Sequence, residues 1–362
     1  MLNSDTKYFQ QKLMYWHLHH NKRVLPWKEE KDVYRIWLSE IILQQTRAEQ
    51  GWKYYERFVQ QFPTVQQLAA APLEEVYKLW EGLGYYTRCR NLHATACYIV
   101  EELNGRFPAT YEGLLKLKGV GPYTAAAIAS FGFNLPHAVV DGNVFRVLSR
   151  FFGKEEPIDS TKGKKLFESV ANACLDSDAP ALYNQAIMDF GATVCKPEQP
   201  LCTSCIFKRK CVALKQNLVQ QLPVKEKQVK QRQRWFVFYV LNYRNKFAVV
   251  QRTQKDVWQH LYQFPLVEFE SEKQWKLFLK NEKVTEQAPF LKTSSFQYKG
   301  QSKPVVQKLS HQTIHAVAVM GILNAALKNL NGLEWYSKTE LTKLPFPQII
   351  HQLFKGHLPD AF

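Results

Sequence analysis

Two carboxylates in unlike surroundings are the first residues of this sequence that could do chemistry. Glu40 lies in Trp37-Leu38-Ser39-Glu40-Ile41-Ile42-Leu43-Gln44-Gln45-Thr46. On a helix it would share a face with Ile36, Trp37, Leu43 and Gln44. A carboxyl among apolar groups keeps its proton to higher pH and can serve as a general acid. Asp141 follows the apolar run Ala138-Val139-Val140 and precedes Gly142-Asn143-Val144. It could be held as an anion, with the Asn143 amide close enough to hydrogen-bond. Cleavage of a glycosidic bond needs such a pair, one group to protonate the leaving group and one to stabilise the oxocarbenium-like sugar. Both residues also have a purely structural reading. A lone helical glutamate is commonly solvated, and an Asp before Gly is commonly a helix N-cap.

The cysteines carry a second kind of chemistry. Of seven, Cys89, Cys97 and Cys174 are scattered, while Cys195, Cys202, Cys205 and Cys211 form a C-x6-C-x2-C-x5-C cluster. An odd total with one dense cluster does not fit a disulfide framework and points to an intracellular metal site. Zinc sites more often come as two C-x2-C pairs or with His. A single C-x2-C between longer spacers favours a 4Fe–4S cluster over zinc or free thiols. Lys208, Arg209 and Lys210 inside the last spacer could also reach a phosphate. His17, His19 and His20 near the N-terminus read as surface residues, not metal ligands.

Leu117-Lys118-Gly119-Val120-Gly121-Pro122-Tyr123-Thr124-Ala125 predicts a tight turn entering a helix of small residues. Gly119 and Gly121 permit the turn, and Pro122 suits the first helical position. The free N–H groups there would favour a phosphate. With Leu114, Leu115 and Leu117 before it, the unit reads as helix–hairpin–helix over about 111–133, although an ordinary helix–helix turn has a similar outline.

The elements that must position these residues fall into two parts. A length of 362 residues suggests two or three domains. Residues 1–216 read as helix after helix, with apolar spacing at Val33, Trp37 and Ile41, and at Leu68, Val76 and Leu79. Pro and Gly punctuate the stretch, and no strand is expected before residue 230. Residues 217–232 read as a basic linker, and the strip 223–234 as linker or solvated charge that could run along a phosphate backbone. From 233 to 362 the character changes. Trp235–Leu241 and Phe247–Gln251 predict a hairpin turning at Asn242–Asn245, with further strands at Pro304–Lys308 and Ile314–Met320. This second domain is expected to be α+β. A net charge of +16 and 14% aromatic residues suit a polyanion whose bases stack on rings. No run of eighteen apolar residues spans a membrane and no signal peptide is apparent, so a cytoplasmic location is expected.

Taken in order, Leu25-Pro26-Trp27, the Glu40 segment, Gly82-Leu83-Gly84-Tyr85-Tyr86, the hairpin, Asp141-Gly142-Asn143 and the four cysteines make the chain similar to the helix–hairpin–helix DNA glycosylases. Within them it resembles the MutY-type adenine glycosylases over nearly its whole length. The resemblance implies an all-α glycosylase domain with an iron–sulfur loop (195–211) and a C-terminal Nudix-like domain. It implies one 4Fe–4S cluster, and as substrate duplex DNA with adenine opposite 8-oxoguanine or guanine. The protein is expected to be monomeric. Catalytic roles fall to Glu40, Asp141, Tyr123 and Asn143. DNA or base contacts fall to Arg23, Leu43, Gln45, Thr46, Tyr85, Gly119, Gly121, Gln185, Ser310 and His311. Lyase-competent relatives such as endonuclease III carry Lys where this chain has Tyr123 and lack an acid matching Glu40, which implies a monofunctional enzyme. Trp258–Pro265 looks like the opening of a Nudix-related domain, but the acid-rich box expected after it is missing from Gln274–Lys280. Leu309-Ser310-His311 resembles the Phe-Ser-His loop that senses 8-oxoguanine, with Leu in place of Phe. Lys118 stands where many relatives have Pro, and Gln185 where some have Glu.

Overall fold

The computed structural model describes residues 4–25, 28–226, 231–280, 286–291, 296–327 and 330–354. Two compact units emerge, Met1–Ala71 with Arg90–Lys227, and Pro72–Cys89 with Gln228–Phe362.

The first unit is helical. It contains α1 (Ser4–His20), α2 (Val33–Leu43), α3 (Ala48–Gln61) and α4 (Val65–Ala70). Next in the chain, α5 (Leu73–Trp80) belongs to the second unit, and α6 (Tyr86–Glu102) begins there and continues into the first. The first unit then holds α7 (Tyr111–Leu115), α8 (Pro122–Phe133), α9 (Gly142–Phe152), α10 (Thr161–Cys174), α11 (Pro180–Thr193) and α12 (Val212–Lys215). Local chemistry sets their ends. Asp32 caps α2 by accepting from the Tyr34 N–H, Thr64 and Gln67 form a capping box on α4, and Ser160 caps α10. Asn134 and Gly153, both left-handed, stop α8 and α9.

Helix α8 is buried from Thr124 to Ser130, which its small side chains allow. A Cβ added at Gly132 would meet Val33 Cγ2 at 3.1 Å, so α2 lies close against it. The core around α1, α9 and α11 is aromatic. Phe9 stacks on Phe207 at 4.6 Å, and Phe151 and Phe190 meet Phe207 edge-on. A Phe→Ala change in this cluster would cost about 3–5 kcal/mol.

The second unit is an eight-stranded sheet with helices. Its strands are β1 (Arg232–Tyr243), β2 (Lys246–Gln251), β3 (Tyr262–Gln263), β4 (Leu266–Phe269), β5 (Phe296–Gln301), β6 (Val305–Lys308), β7 (Gln312–Leu323) and β8 (Leu333–Ser337). The helices are α13 (Glu272–Lys280), α14 (Lys338–Leu341) and α15 (Gln348–Leu353). The main strand order is β3-β2-β1-β7-β5, with β4 on β1, β6 on β7 and β8 on β2. β1 and β7 run parallel at the centre, and Phe236–Leu241 is buried throughout, as a strand covered on both faces requires. The expected β1–β2 hairpin is present. Asn242 pairs with Phe247 and Tyr243 with Lys246, leaving Arg244 and Asn245 as a two-residue turn with φ of 48° and 61°. The expected strands at 304–308 and 314–320 are β6 and β7, while β3, β4, β5 and β8 had no clear sequence signal.

The basic strip differs from its expected character where it is described. Arg232 and Arg234 are strand residues, and Arg234 is buried. Its guanidinium donates to both oxygens of Asp256, at 2.8 and 2.9 Å, and both of Glu268, at 2.7 and 2.6 Å. A buried cation persists only with such partners, so this arginine serves the sheet and cannot follow a phosphate backbone. Lys227 and Lys230 lie outside the described residues.

Residues 72–89 belong to the second unit, and Glu81 ties them to the segment leading into α15 and to α15 itself. Glu81 Oε1 accepts from the Phe346 N–H and sits beside His351 Nε2, each at 2.8 Å. Burial would raise the Glu81 carboxyl, but bonds from His351, Lys78 and the Phe346 N–H hold it below the usual range.

Candidate active site and cysteine loop

Glu40 occupies the buried face of α2, and α8 brings Tyr123 to it from the first turn after Pro122. Gln44 Nε2 donates to Thr124 Oγ1 at 3.0 Å and locks the two helices in that register. Burial raises the Glu40 carboxyl to about 7; a hydrogen bond from Tyr123 opposes the rise and the Asp141 charge adds to it. The Tyr123 phenol is pushed well up by burial and by Glu40 and Asp141, so it stays a neutral donor. Its hydroxyl also lies 3.8 Å from Met188 Sδ on α11.

Asp141 is the N-cap of α9, as its sequence context allowed, and it also faces Glu40. It accepts from the Val144 N–H at 2.8 Å and from Asn143 Nδ2 at 2.7 Å. Burial raises this carboxyl, and the bonds from Val144 and Asn143 and the Arg146 charge pull it back. Glu40, by comparison, has the Tyr123 bond alone to offset its burial, which separates the two acids. Asn143 is itself oriented, because Arg146 Nη2 donates to its Oδ1 at 2.8 Å.

Arg146 was not visible as a functional residue in the sequence. Besides Asn143 it donates to the carbonyls of Gly191 at 2.8 Å and Cys195 at 2.7 Å, so it links the Asp141 cap to the first cysteine of the loop. Its place one turn after Asn143 was the available signal. Asn184, fully buried, donates to Ser130 Oγ and the His137 carbonyl and accepts from the Val139 N–H, fixing the segment that leads to Asp141.

Arg23 and Gln185 come together around a residue the sequence reading did not single out. Asp189, on α11, is fully buried. Its Oδ1 accepts from Arg23 Nη1 and from Gln185 Nε2, each at 3.0 Å. Its Oδ2 accepts from Asn21 Nδ2 at 2.7 Å and lies 3.0 Å from Lys28 Nζ. His17 is half-buried, with Nδ1 3.0 Å from Asn21 Nδ2, which corrects its expected surface role; His19 and His20 are exposed. Pro26 and Trp27 lie outside the described residues.

Leu43 ends α2, and Thr46 closes a turn with its N–H 3.0 Å from the Leu43 carbonyl. Between them Gln45 is exposed with φ of 56°. A non-glycine residue held there is strained by an amount that clusters at ligand contacts. In the hairpin Gly119 has φ of +83°, and a Cβ on it would strike Asn91 Cβ at 2.9 Å. Gly121 differs from the expectation of a turn glycine: its φ is −94°, and a Cβ would meet nothing within 4 Å. What it provides is open space before the α8 N-terminus.

In the second unit, Tyr85 is exposed with φ of 50°, and its hydroxyl is hydrogen-bonded to Ser310. Ser310 and His311 are exposed at the tip of the β6–β7 hairpin, closed by the Leu309 N–H bonding the Gln312 carbonyl at 2.8 Å.

Cys195, Cys202, Cys205 and Cys211 line one pocket with Arg150, Leu201 and Lys208. Burial, with mutual repulsion, pushes the Cys205 thiol up to about 12 and raises Cys202 and Cys211. Arg150 Nη1 lies 3.5 Å from Cys195 Sγ, and the Phe207 N–H donates to Cys205 Sγ at 3.4 Å. Among the described residues, no group of three or more His, Cys, Asp or Glu is arranged to hold a single metal ion. Four cysteine sulfurs lining one pocket, with N–H donors at Cys195 and Cys205, are a donor set that a metal cluster could use.

Comparison with known proteins bears on the family and the fold. Residues 38–172 match the HhH-GPD superfamily of base excision DNA repair proteins, and 236–356 match the NUDIX domain. An adenine DNA glycosylase of Buchnera aphidicola subsp. Schizaphis graminum is 32% identical over 96% of this chain and 99% of its own. The chain belongs to the MutY-type adenine DNA glycosylases. The adenine DNA glycosylase of Rattus norvegicus is 44% identical over 58% of this chain and 42% of its own. The structure of a thermostable thymine-DNA glycosylase matches with a TM-score of 0.55 and 27% identity, over 59% of this chain and 98% of that one. As a family member the chain is an N-glycosyl hydrolase of base excision repair. No described helix is long and apolar enough to cross a membrane.

Proposed function

We propose that this enzyme hydrolyses the N-glycosidic bond of adenine paired with 8-oxoguanine, or with guanine, in duplex DNA inside the cell, acting as a monomer. The observation that carries the reading is Glu40, a buried carboxyl raised to about 7, hydrogen-bonded to Tyr123 and facing Asp141. The adenine is flipped out of the stack into a pocket lined by Arg23 and Gln185. Glu40 gives its proton to adenine N7. The C1′–N9 electron pair leaves with the base, and adenine departs neutral. Asp141, held by Asn143 and the Val144 N–H, stabilises the sugar cation. Water adds to C1′ and returns a proton to Glu40. Tyr123 orients Glu40 and, being a phenol, forms no Schiff base, so strand cleavage is not part of the reaction.

Gly119, Gly121 and the α8 N-terminus receive a phosphate, while Leu43, Gln45, Thr46 and Tyr85 contact the disturbed stack. Cys195, Cys202, Cys205 and Cys211 would hold one 4Fe–4S cluster, which when bound would tie the loop together and keep Lys208–Lys210 presented to DNA. Ser310 and His311 read the 8-oxoguanine, and the second unit does no nucleotide hydrolysis, since α13 carries one acid, Glu272, and no acidic box. The test is base release from duplexes containing 8-oxoguanine:A, G:A, C:A, T:G and thymine glycol. Release confined to adenine opposite the two guanines supports the proposal; release of thymine or thymine glycol with strand nicking overturns it.

A further inference from the structure

We propose that Asp189 is a positioning residue that turns the Gln185 amide so that only its carbonyl oxygen faces the base, making the pocket select 6-amino over 6-oxo purines. This rests on the reading above, in which Gln185 lines the pocket for the flipped base.

Asp189 is fully buried, and the Arg23 guanidinium and Lys28 ammonium each lie 3.0 Å from its carboxylate. A carboxylate between two cations offers lone pairs and no proton. Gln185, one helical turn earlier, stands 3.0 Å from Asp189 Oδ1 and can meet it only with its NH2 end. The reverse orientation would set a carbonyl oxygen against an anionic oxygen in a desolvated site. An amide has one donor end and one acceptor end. With one N–H bonded to Asp189, the NH2 end is turned toward the carboxylate and Oε1 is the end left for a ligand.

That end has a place to act. Gln185 is half-buried, and Met188, three residues on along the same helix face, lies 3.8 Å from the Tyr123 hydroxyl. Tyr123 in turn is bonded to Glu40. The exocyclic amine of adenine is a donor, and the O6 of hypoxanthine or guanine is an acceptor. A fixed Oε1 accepts from the first and repels the second, whereas a freely turning amide would accommodate both. Asp189 thus gives a neutral glutamine a single polarity.

The test uses the full chain and single-turnover release of adenine, unsubstituted purine or hypoxanthine placed opposite 8-oxoguanine. Each rate is divided by that base's rate of acid depurination, which removes leaving-group differences. The parent should favour adenine over purine and purine over hypoxanthine, with adenine ahead of hypoxanthine by roughly tenfold or more. Hypoxanthine released as fast as purine overturns the proposal with no variant needed. Gln185→Met keeps the Asp189 ion pairs and removes the amide, so the adenine preference should collapse; an unchanged ratio would show that Gln185 does not read the base and would remove the pocket reading itself. Asp189→Asn frees the amide to turn, and the ratio should drop by roughly tenfold. A purely structural Asp189 would slow all three bases alike, and a native ratio in Asp189→Asn beside a collapsed one in Gln185→Met overturns the polarity role alone. Should Asp189→Asn not fold, the comparison of the three bases on the parent decides.

Discussion

Glu40→Gln should stop base release and at the same time stabilise the protein above neutral pH. Glu40 is 8% exposed, and its pKa rises from 4.5 to about 7, burial being the main cause. The sign follows from proton counting. Between pH 4.5 and about 7 the folded protein holds a proton that the unfolded chain has lost, so stability falls as pH rises through that window. At ~1.4 kcal/mol per pH unit, ionised Glu40 costs about 3 kcal/mol at pH 8 and under about 1 kcal/mol at pH 5. A glutamine never ionises. The stability of Glu40→Gln relative to the parent should therefore improve by about 2–3 kcal/mol between pH 5 and pH 8. Catalysis moves the other way. The parent's rate should decline above about pH 7 as the acid empties, and the variant should lose about 10²–10⁴-fold at every pH with duplex binding kept. Urea unfolding at both pH values and single-turnover adenine release across the range make the measurement. Turnover within tenfold of the parent, or a stability difference that does not change with pH, would refute the reasoning.

Tyr123→Lys should gain some strand nicking through a Schiff base, read by borohydride trapping on DNA; strong trapping by the parent would reverse the monofunctional assignment. Purified protein should be brown and contain iron, and Cys205→Ser should lose both colour and iron, whereas zinc in a colourless, active preparation would contradict the cluster. Ser310→Ala combined with His311→Ala should lower the preference for 8-oxoguanine:A over G:A by about 1–3 kcal/mol in competition binding, with cleavage at saturating enzyme much less affected. An unchanged preference would move recognition to Tyr85 and Gln45.

Several features were legible in the sequence because their causes are local. The β1–β2 hairpin follows from two β-rich runs around the expected turn at Asn242–Asn245, which the structure narrows to Arg244 and Asn245. The α8 start follows from Gly121-Pro122, and the Asp141 cap from an acid before Gly. Glu40 could be suspected from its apolar neighbours on one helix face, and the cysteine spacing marked a candidate metal loop. Other features needed the tertiary structure. Arg234 sits in a run of basic residues that composition marks as solvated, yet Asp256 and Glu268 reach it from later in the chain and make it a core residue. Residues 72–89 read as one more stretch of the helical region, and contacts with distant segments, Glu81 with Phe346 and His351, Lys78 with the Leu344 carbonyl and Tyr85 with Ser310, assign them to the second unit. Arg146 joins Asn143 to the Cys195 carbonyl, and Asp189 gathers Asn21, Arg23, Lys28 and Gln185, through contacts between segments far apart in the chain. A residue's type and near neighbours determine which protons and charges it can offer. Its burial and its partners determine which of them it does offer, and those depend on how distant segments pack.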